Sequence, residues 1–374
     1  MLIQNTKLCI FIILLFSLSA CSIKKPQQLP NELETKIAQT RVVLIGETHN
    51  NYGHHLNQLE IIKKTHKKWG GVISIGLEMI QQPFQSYLDD YIAGKITEIE
   101  MLRGVEWYSR WRFDFRLYRP IFDYAKQHKI PLIALNIPRE LTRKISRKGM
   151  QSLSAKERMQ LPAFIDKSNL AYTARLKKVF DQHFHKQGNG KTFNQKGFNR
   201  FVDAQLAWDE GMAFAASKYL KKLPNKRMVV LAGSGHLINR EGIPSRLDRL
   251  LQLPPENRSL VILSHNEKPY NSEEADFSLK TKEISLPSAG LIGIAMKNSD
   301  EGVRISAIAK DGAAEKAGLQ KGDILKKLNN TEIKTTSDVD LWRLDKAPKH
   351  KVDAVVTRGN QTALKSFVLG GKLN

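Results

Sequence analysis

Cysteine is nearly absent: the chain holds two, Cys9 and Cys21, in 374 residues. Two thiols cannot build the disulfide framework of a small secreted module, nor a four-thiolate zinc site. Acidic residues are scarce beside basic ones. Lys plus Arg number 59 against 37 Asp plus Glu, a formal net charge of +22. That surplus implies an anionic partner, either nucleic acid, a membrane surface or an acidic ligand. No helix-turn-helix and no RNA-binding motif is present, so no nucleic acid is expected. No internal repeat is visible. No apolar run reaches the roughly 20 residues that a bilayer-spanning helix needs. With 41% hydrophobic and 26% charged residues, the chain is neither a polytopic membrane protein nor disordered by composition. Its length suits two domains and a leader.

What is there begins at the N-terminus. Lys7 precedes an apolar run from Leu8 to Leu18, which closes on Leu18-Ser19-Ala20-Cys21. This resembles the bacterial lipobox, where the leader is cut before a cysteine that then carries the lipids. Residues 1–20 are expected to be a signal peptide and 21–37 a lipidated tether. Cys21 becomes the membrane anchor and Cys9 is discarded. Ser22, rather than Asp, follows the cysteine, which resembles the pattern of lipoproteins sorted to the outer membrane. Removing the leader takes away only Lys7, so the mature chain stays near +21. The anchor assigns that charge first to anionic envelope surfaces and second to an anionic ligand.

Five short apolar runs rich in β-branched residues read as buried strands. They are Arg41 to Gly46, Gly71 to Leu77, Ile130 to Leu135, Met228 to Ala232 and Ser259 to Leu263. Helical patterns lie between them, at His54 to Trp69 and Pro120 to His128. Alternation of this kind predicts an α/β fold, a mostly parallel sheet flanked by helices, over residues 38–280. Residues 140–225 hold no convincing strand and read as a helical insertion, with Gly188-Asn-Gly190 as a loop inside it.

A second, small β-rich unit is expected over 286–374. Leu291-Ile-Gly-Ile294, Gly302-Val-Arg-Ile-Ser306, Gly318-Leu319 and Gly322-Asp323 resemble a PDZ domain. The resemblance implies that Leu291, Ile292, Gly293 and Ile294 form the loop that holds a peptide's C-terminal carboxylate while the peptide adds to the sheet edge. A PDZ unit that only packs on the main domain is the simpler alternative.

In an open α/β sheet, ligands bind beyond the carboxyl ends of the strands. Each predicted strand delivers a polar group there. Glu47, Thr48 and His49 follow the first, with Tyr52, His54 and His55 close behind. Glu78 follows the second, Asn136 and Arg139 the third, His236 the fourth and His265 the fifth. His49, His236, Glu47 and Glu78 are donors of the kind that hold a divalent ion such as Mn, Zn, Co or Fe. Glu47 and Glu78 equally suit a carboxylate pair working with histidine in acid/base chemistry. Simpler roles stand beside these. Glu47 and Thr48 suit capping of the next helix, His54 and His55 solvation at its start, and Arg139 neutralisation of Glu47 or Glu78.

The set Gly46-Glu-Thr-His49 with His55 and Gln58, Glu78, Asn136-Ile-Pro-Arg139 and Gly233-Ser-Gly-His236 resembles the ChaN family of haem-binding lipoproteins. That family belongs with the Tiki and TraB proteins and the erythromycin esterases. Trp111-Arg-Phe-Asp-Phe115, Tyr118, Ala204-Gln205 and Asp209 fit the same family. The resemblance implies an outer-membrane lipoprotein that binds haem in haem or iron uptake, perhaps best pictured as a homodimer around the cofactor. Tyr52, His54, His55, Arg139 and Tyr172 are the haem-contacting candidates. It also implies a second reading. Tiki proteins are metal-dependent peptidases that use two Gly-x-x-His motifs and a glutamate, which map to His49, His236 and Glu47 or Glu78. Trp107, Trp111, Phe113 and Phe115 suit either a porphyrin wall or core. Arg110, Arg112, Arg116 and Arg119 suit either propionates or solvent.

Overall fold

A computed structural model describes residues 30–186 and 194–371. The leader, Cys21, most of the tether and the Gly188–Gly190 loop lie outside the described residues. Among the described residues, no helix is long and apolar enough to cross a membrane.

The first domain is built on six parallel strands: β1 (Val42–Glu47), β2 (Ile73–Gln81), β3 (Leu132–Asn136), β4 (Arg227–Gly233), β5 (Leu260–His265) and β6 (Phe277–Lys280). They lie in the order β3-β2-β4-β1-β5-β6. The five apolar runs are all strands, and the parallel sheet is as expected. β6 is an addition. Its four residues are too short and too mixed in polarity to stand out.

The eight longer helices are α1 (Asn31–Gln39), α2 (Tyr52–Lys68), α3 (Arg119–Gln127), α4 (Arg139–Lys148), α5 (Leu170–Lys186), α6 (Gln195–Lys222), α7 (Ile243–Leu251) and α8 (Thr336–Arg343). The Asn51 side chain accepts from His54 N at 3.2 Å and starts α2. Asn194 does the same for α6, accepting from Gly197 N at 3.1 Å. Such caps satisfy amide groups that a helix start leaves unpaired. Residues 139–222 run through α4, α5 and α6 without a strand.

Both faces of the sheet are covered, which is why its central strands are apolar throughout. Val43, Ile45, Ile75, Leu77 and Ile262 face a core shared with α1, α2 and α3. Val42, Leu44, Leu135, Val230 and Val261 face the other core, shared with α6 and α7. Alternate residues of one strand thus enter opposite cores, as the pleat requires.

The second domain is an antiparallel sheet: β7 (Ile294–Ser299), β8 (Gly302–Ile308), β9 (Ile324–Leu328), β10 (Thr331–Glu332), β11 (Lys351–Arg358) and β12 (Gln361–Val368), with α8 alongside. The order is β12-β11-β9-β8-β7, and β10 pairs with β9. β7 is therefore an edge strand. Two faces of α8 are used. Val339 packs in the second domain's own core. Leu341 and Leu344 enter the first domain's core. Arg103 to Asp338 (3.3 Å) and Arg119 to Asp345 (2.7 Å) flank that contact.

Candidate functional site

The carboxyl ends of the three adjacent strands β2, β4 and β1 converge on two histidines. β1 ends on Glu47, and the turn beyond it presents His49. Glu47 Oε1 accepts from His49 Nδ1 at 2.6 Å. On the other side, the short helical turn after β4 presents His236, whose Nδ1 donates to Asp209 Oδ1 of α6 at 2.5 Å. Each histidine thus has one ring nitrogen fixed by a buried carboxylate. This arrangement sets the tautomer, orients the ring and makes the other nitrogen more basic.

Glu78 lies between them. It sits inside β2 rather than after it, because that strand continues to Gln81 past a register irregularity against β3. Its Oε2 accepts from Gly233 N at 2.6 Å, and its Oε1 stands 3.3 Å from His236 Nε2. Burial alone pushes the Glu78 carboxyl up, but His236, His49 and the Gly233 amide outweigh it and hold the group below its ordinary value. Burial likewise pushes the His236 imidazole down, and the Glu78 and Asp209 carboxylates reverse that, holding it well above its ordinary value. His49 follows the same pattern: burial lowers it, and Glu47 with Glu78 raises it above the usual range. Two imidazoles biased towards the charged form face a shared carboxylate.

Gly233 is what lets them approach. A Cβ there would lie 2.8 Å from His49 Cε1 and 3.6 Å from Glu78 Oε2. Its backbone angles suit any residue, so the requirement is space.

The remaining sequence candidates divide. His54 is buried: its Nδ1 accepts from Thr48 N at 3.0 Å and its Nε2 lies 3.0 Å from Asn266 Oδ1. His55 is buried too, with Nδ1 at 3.0 Å from Gln58 Oε1 and Nε2 at 3.1 Å from the His49 carbonyl. Gln58 in turn donates to Ile45 O at 3.2 Å. These side chains shape the loop that carries His49. The buried Tyr172 hydroxyl donates to Asp209 Oδ2. Tyr52 packs partly buried against the core. Asn136 Nδ2 donates to the Glu78 carbonyl at 2.8 Å. Arg139 reaches neither Glu47 nor Glu78 and donates instead to Ser109 O at 2.6 Å. His265 ends β5 and takes no part in these bonds.

The aromatic set also divides. Trp107 and Phe115 are core. Trp111 and Phe113 stand against the His49 ring, with centroids 4.7 and 5.0 Å away. Trp208, which the sequence reading passed over, stands 5.0 Å from His236. Its position next to Asp209 on α6 was the available signal. Arg110, Arg116 and Arg119 are held by Glu106, Asp114 and Glu98. Arg112 is exposed and pairs with no carboxylate among the described residues. Among the described residues, no three His, Cys, Asp or Glu side chains are grouped so as to hold a metal ion.

The second domain carries its own groove, a cavity of about 470 Å³ between β7 and α8. Leu291, Ile292, Gly293 and Ile294 line one end of it. Gly293 has a φ of +82°, which a side chain would strain, and it turns the loop's backbone there.

A family model described as haem-binding uptake, Tiki superfamily, ChaN matches residues 33–247. A PDZ domain model matches residues 290–365. The fold is similar to the solved structure described as cofacial heme binding to ChaN of Campylobacter jejuni. The TM-score is 0.53 at 18% identity, covering 67% of this chain and 91% of that one. Protein RETICULATA-RELATED 5, chloroplastic, of Arabidopsis thaliana is 22% identical over 261 residues, covering 64% of this chain. This chain spans about a third of that relative's length.

Proposed function

Since the chain belongs to the ChaN family of the Tiki superfamily, with a PDZ domain behind it, we propose that its first domain binds haem at the His49 rim. The observation that carries this is the state of the His49 side chain. It is 32% exposed, its Nδ1 is fixed by Glu47, and no described residue hydrogen-bonds its Nε2. Imidazole nitrogen of this kind is a common axial ligand to haem iron. Trp111 and Phe113 supply an apolar wall beside it, and Arg112 an unpaired cation for a propionate. His54, His55 and Tyr172 have their polar atoms engaged elsewhere, so His49 is the better iron ligand. Bound there, haem supplies an iron centre and an anionic edge. The chain's residues orient one imidazole and shield it on one side.

The setting of this reading is the bacterial outer membrane, with Cys21 as the lipid anchor and haem or iron uptake as the role. A homodimer and a C-terminal peptide in the β7–α8 groove complete it. Purified protein titrated with haemin is expected to give a shifted Soret band near stoichiometry. His49→Ala is expected to weaken binding by about tenfold or more, the order of a lost ligand of about 1.4 kcal/mol. No shift in the folded wild-type protein rules out haem binding. A shift unchanged by His49→Ala rules out this ligand.

Glu78 favours a second reading. A carboxylate between two carboxylate-oriented histidines suits acid/base hydrolysis of a peptide or ester, with a divalent metal as the activator. Protein from its own host that holds no Mn, Zn, Co or Fe and cleaves nothing when these are added would exclude it.

A further inference from the structure

A cavity of about 490 Å³ lies between α6 and the β3 edge of the first sheet. It shares no residue with the His49–His236 rim. We propose that it binds a single-chain anionic amphiphile: a hydrocarbon chain with a carboxylate or phosphate head.

Its lining is the first argument. Ile133, Leu161, Pro162 and Phe214 give it apolar walls. Met159 and Phe214, at 78% and 41% exposure, stand open at the same place. Large apolar side chains scattered singly on a surface mean little, but grouped around a cavity they mark a binding site.

The edge strand gives the second argument. A peptide would normally fill such a place by pairing with β3. That route is closed. Gln85 Nε2 donates to Leu132 O at 2.8 Å, and Gln85 Oε1 accepts from Ala134 N at 2.7 Å. Gln82 Nε2 donates to Leu135 O at 2.9 Å. Side chains already use the backbone groups that an added strand would need.

The third argument is polarity along α6. Gly211 and Phe214 line the cavity at one end, and Lys218 and Lys222 at the other. From Gly211 to Lys222 the helix rises about 16 Å. Lys218 and Lys222 are exposed, four residues apart on one helix face, and neither pairs with a carboxylate among the described residues. Two lysines in that relation repel each other until an anion lies between them. Asp89 borders the cavity, but it accepts from Gln85 at 2.9 Å. An apolar trough with a cationic end matches a chain with an anionic head. A second copy of a chain carrying +22 would bring like charge to this face instead.

The test uses full-length protein and two probes. Cis-parinarate supplies a free fatty acid, and phosphatidylglycerol vesicles supply the anionic head in a bilayer. We expect saturable, one-to-one parinarate fluorescence. The Lys218→Glu/Lys222→Glu double variant should weaken it at least tenfold and leave the haemin titration and melting temperature as in wild type. Flotation with the vesicles, lost in the same variant and without parinarate binding, assigns the same chemistry to a bilayer lipid. The proposal fails if neither probe binds, or if the double variant binds both as wild type does. It also fails if one equivalent of haemin displaces the parinarate, since the cavity is then the haem site. A dimer that Phe214→Ser dissociates in sedimentation would likewise overturn it, because the face is then a protein interface.

Discussion

At the scale of single residues, the rim is an alternation of charge. Asp209, His236, Glu78, His49 and Glu47 follow one another, each carboxylate beside an imidazole. Burying any one of these charges alone would be costly, and the alternation offsets that cost. The consequence is a pH dependence whose sign is fixed. The His236 imidazole is held above its ordinary 6.5, so its contribution to stability is complete below 6.5 and is lost as pH rises through the raised value. The Glu78 carboxyl is held below its ordinary 4.5, so its contribution is complete above 4.5 and is lost as pH falls through the lowered value. Both are fully present between 4.5 and 6.5. His236→Gln is therefore expected to cost most in that window, by about 3–5 kcal/mol for a broken buried pair. The difference should shrink at alkaline pH. Melting temperatures of both proteins from pH 4 to 9 check this; a pH-independent difference would mean that His236 is buried neutral.

At the scale of elements, the edges of the two sheets are treated in opposite ways. β3 is sealed by Gln85 and Gln82, so the first sheet does not extend sideways. β7 borders the groove with α8, where an extended peptide can add. Gln85→Ala leaves Ala134 N and Leu132 O without these partners. It is expected to cost about 1 kcal/mol and to speed amide exchange at Ala134. Unchanged exchange at Ala134 would show that water already substitutes for the side chain.

At the scale of the whole molecule, the two domains share a helix. α8 is one wall of the peptide groove, and Leu341 and Leu344 on it are buried in the first domain's core. Arg116 NH1 also donates to Pro287 O at 3.0 Å, ahead of the groove loop. Leu344 is not part of the second domain's own core. Leu344→Asp is thus expected to release the second domain with its fold intact. Small-angle scattering should show a larger radius of gyration, and calorimetry two transitions in place of one. One transition with an unchanged radius would mean that the polar pairs at Asp338 and Asp345 are sufficient to hold the domains together.

What could be read from residues alone follows the range of the interactions involved. The five strands and the parallel sheet were legible because each strand is an apolar run between helical patterns, a signal carried by near neighbours. The PDZ and ChaN resemblances rest on short motifs of the same local kind. β6 escaped because four residues of mixed polarity carry no period. The division of the aromatic and histidine sets was not legible. His49 and His55 look equivalent in the chain, yet one has a free ring nitrogen and the other has none. Nor does sequence show that Asp209, on a helix, fixes His236, or that Arg139 passes Glu78 by for Ser109. These outcomes depend on which side chains the folded sheet and helices bring within about 3 Å of one another. The sequence by itself determined the layers and where the polar groups collect. Only the tertiary structure decided which of them are spent on each other and which remain open to a ligand.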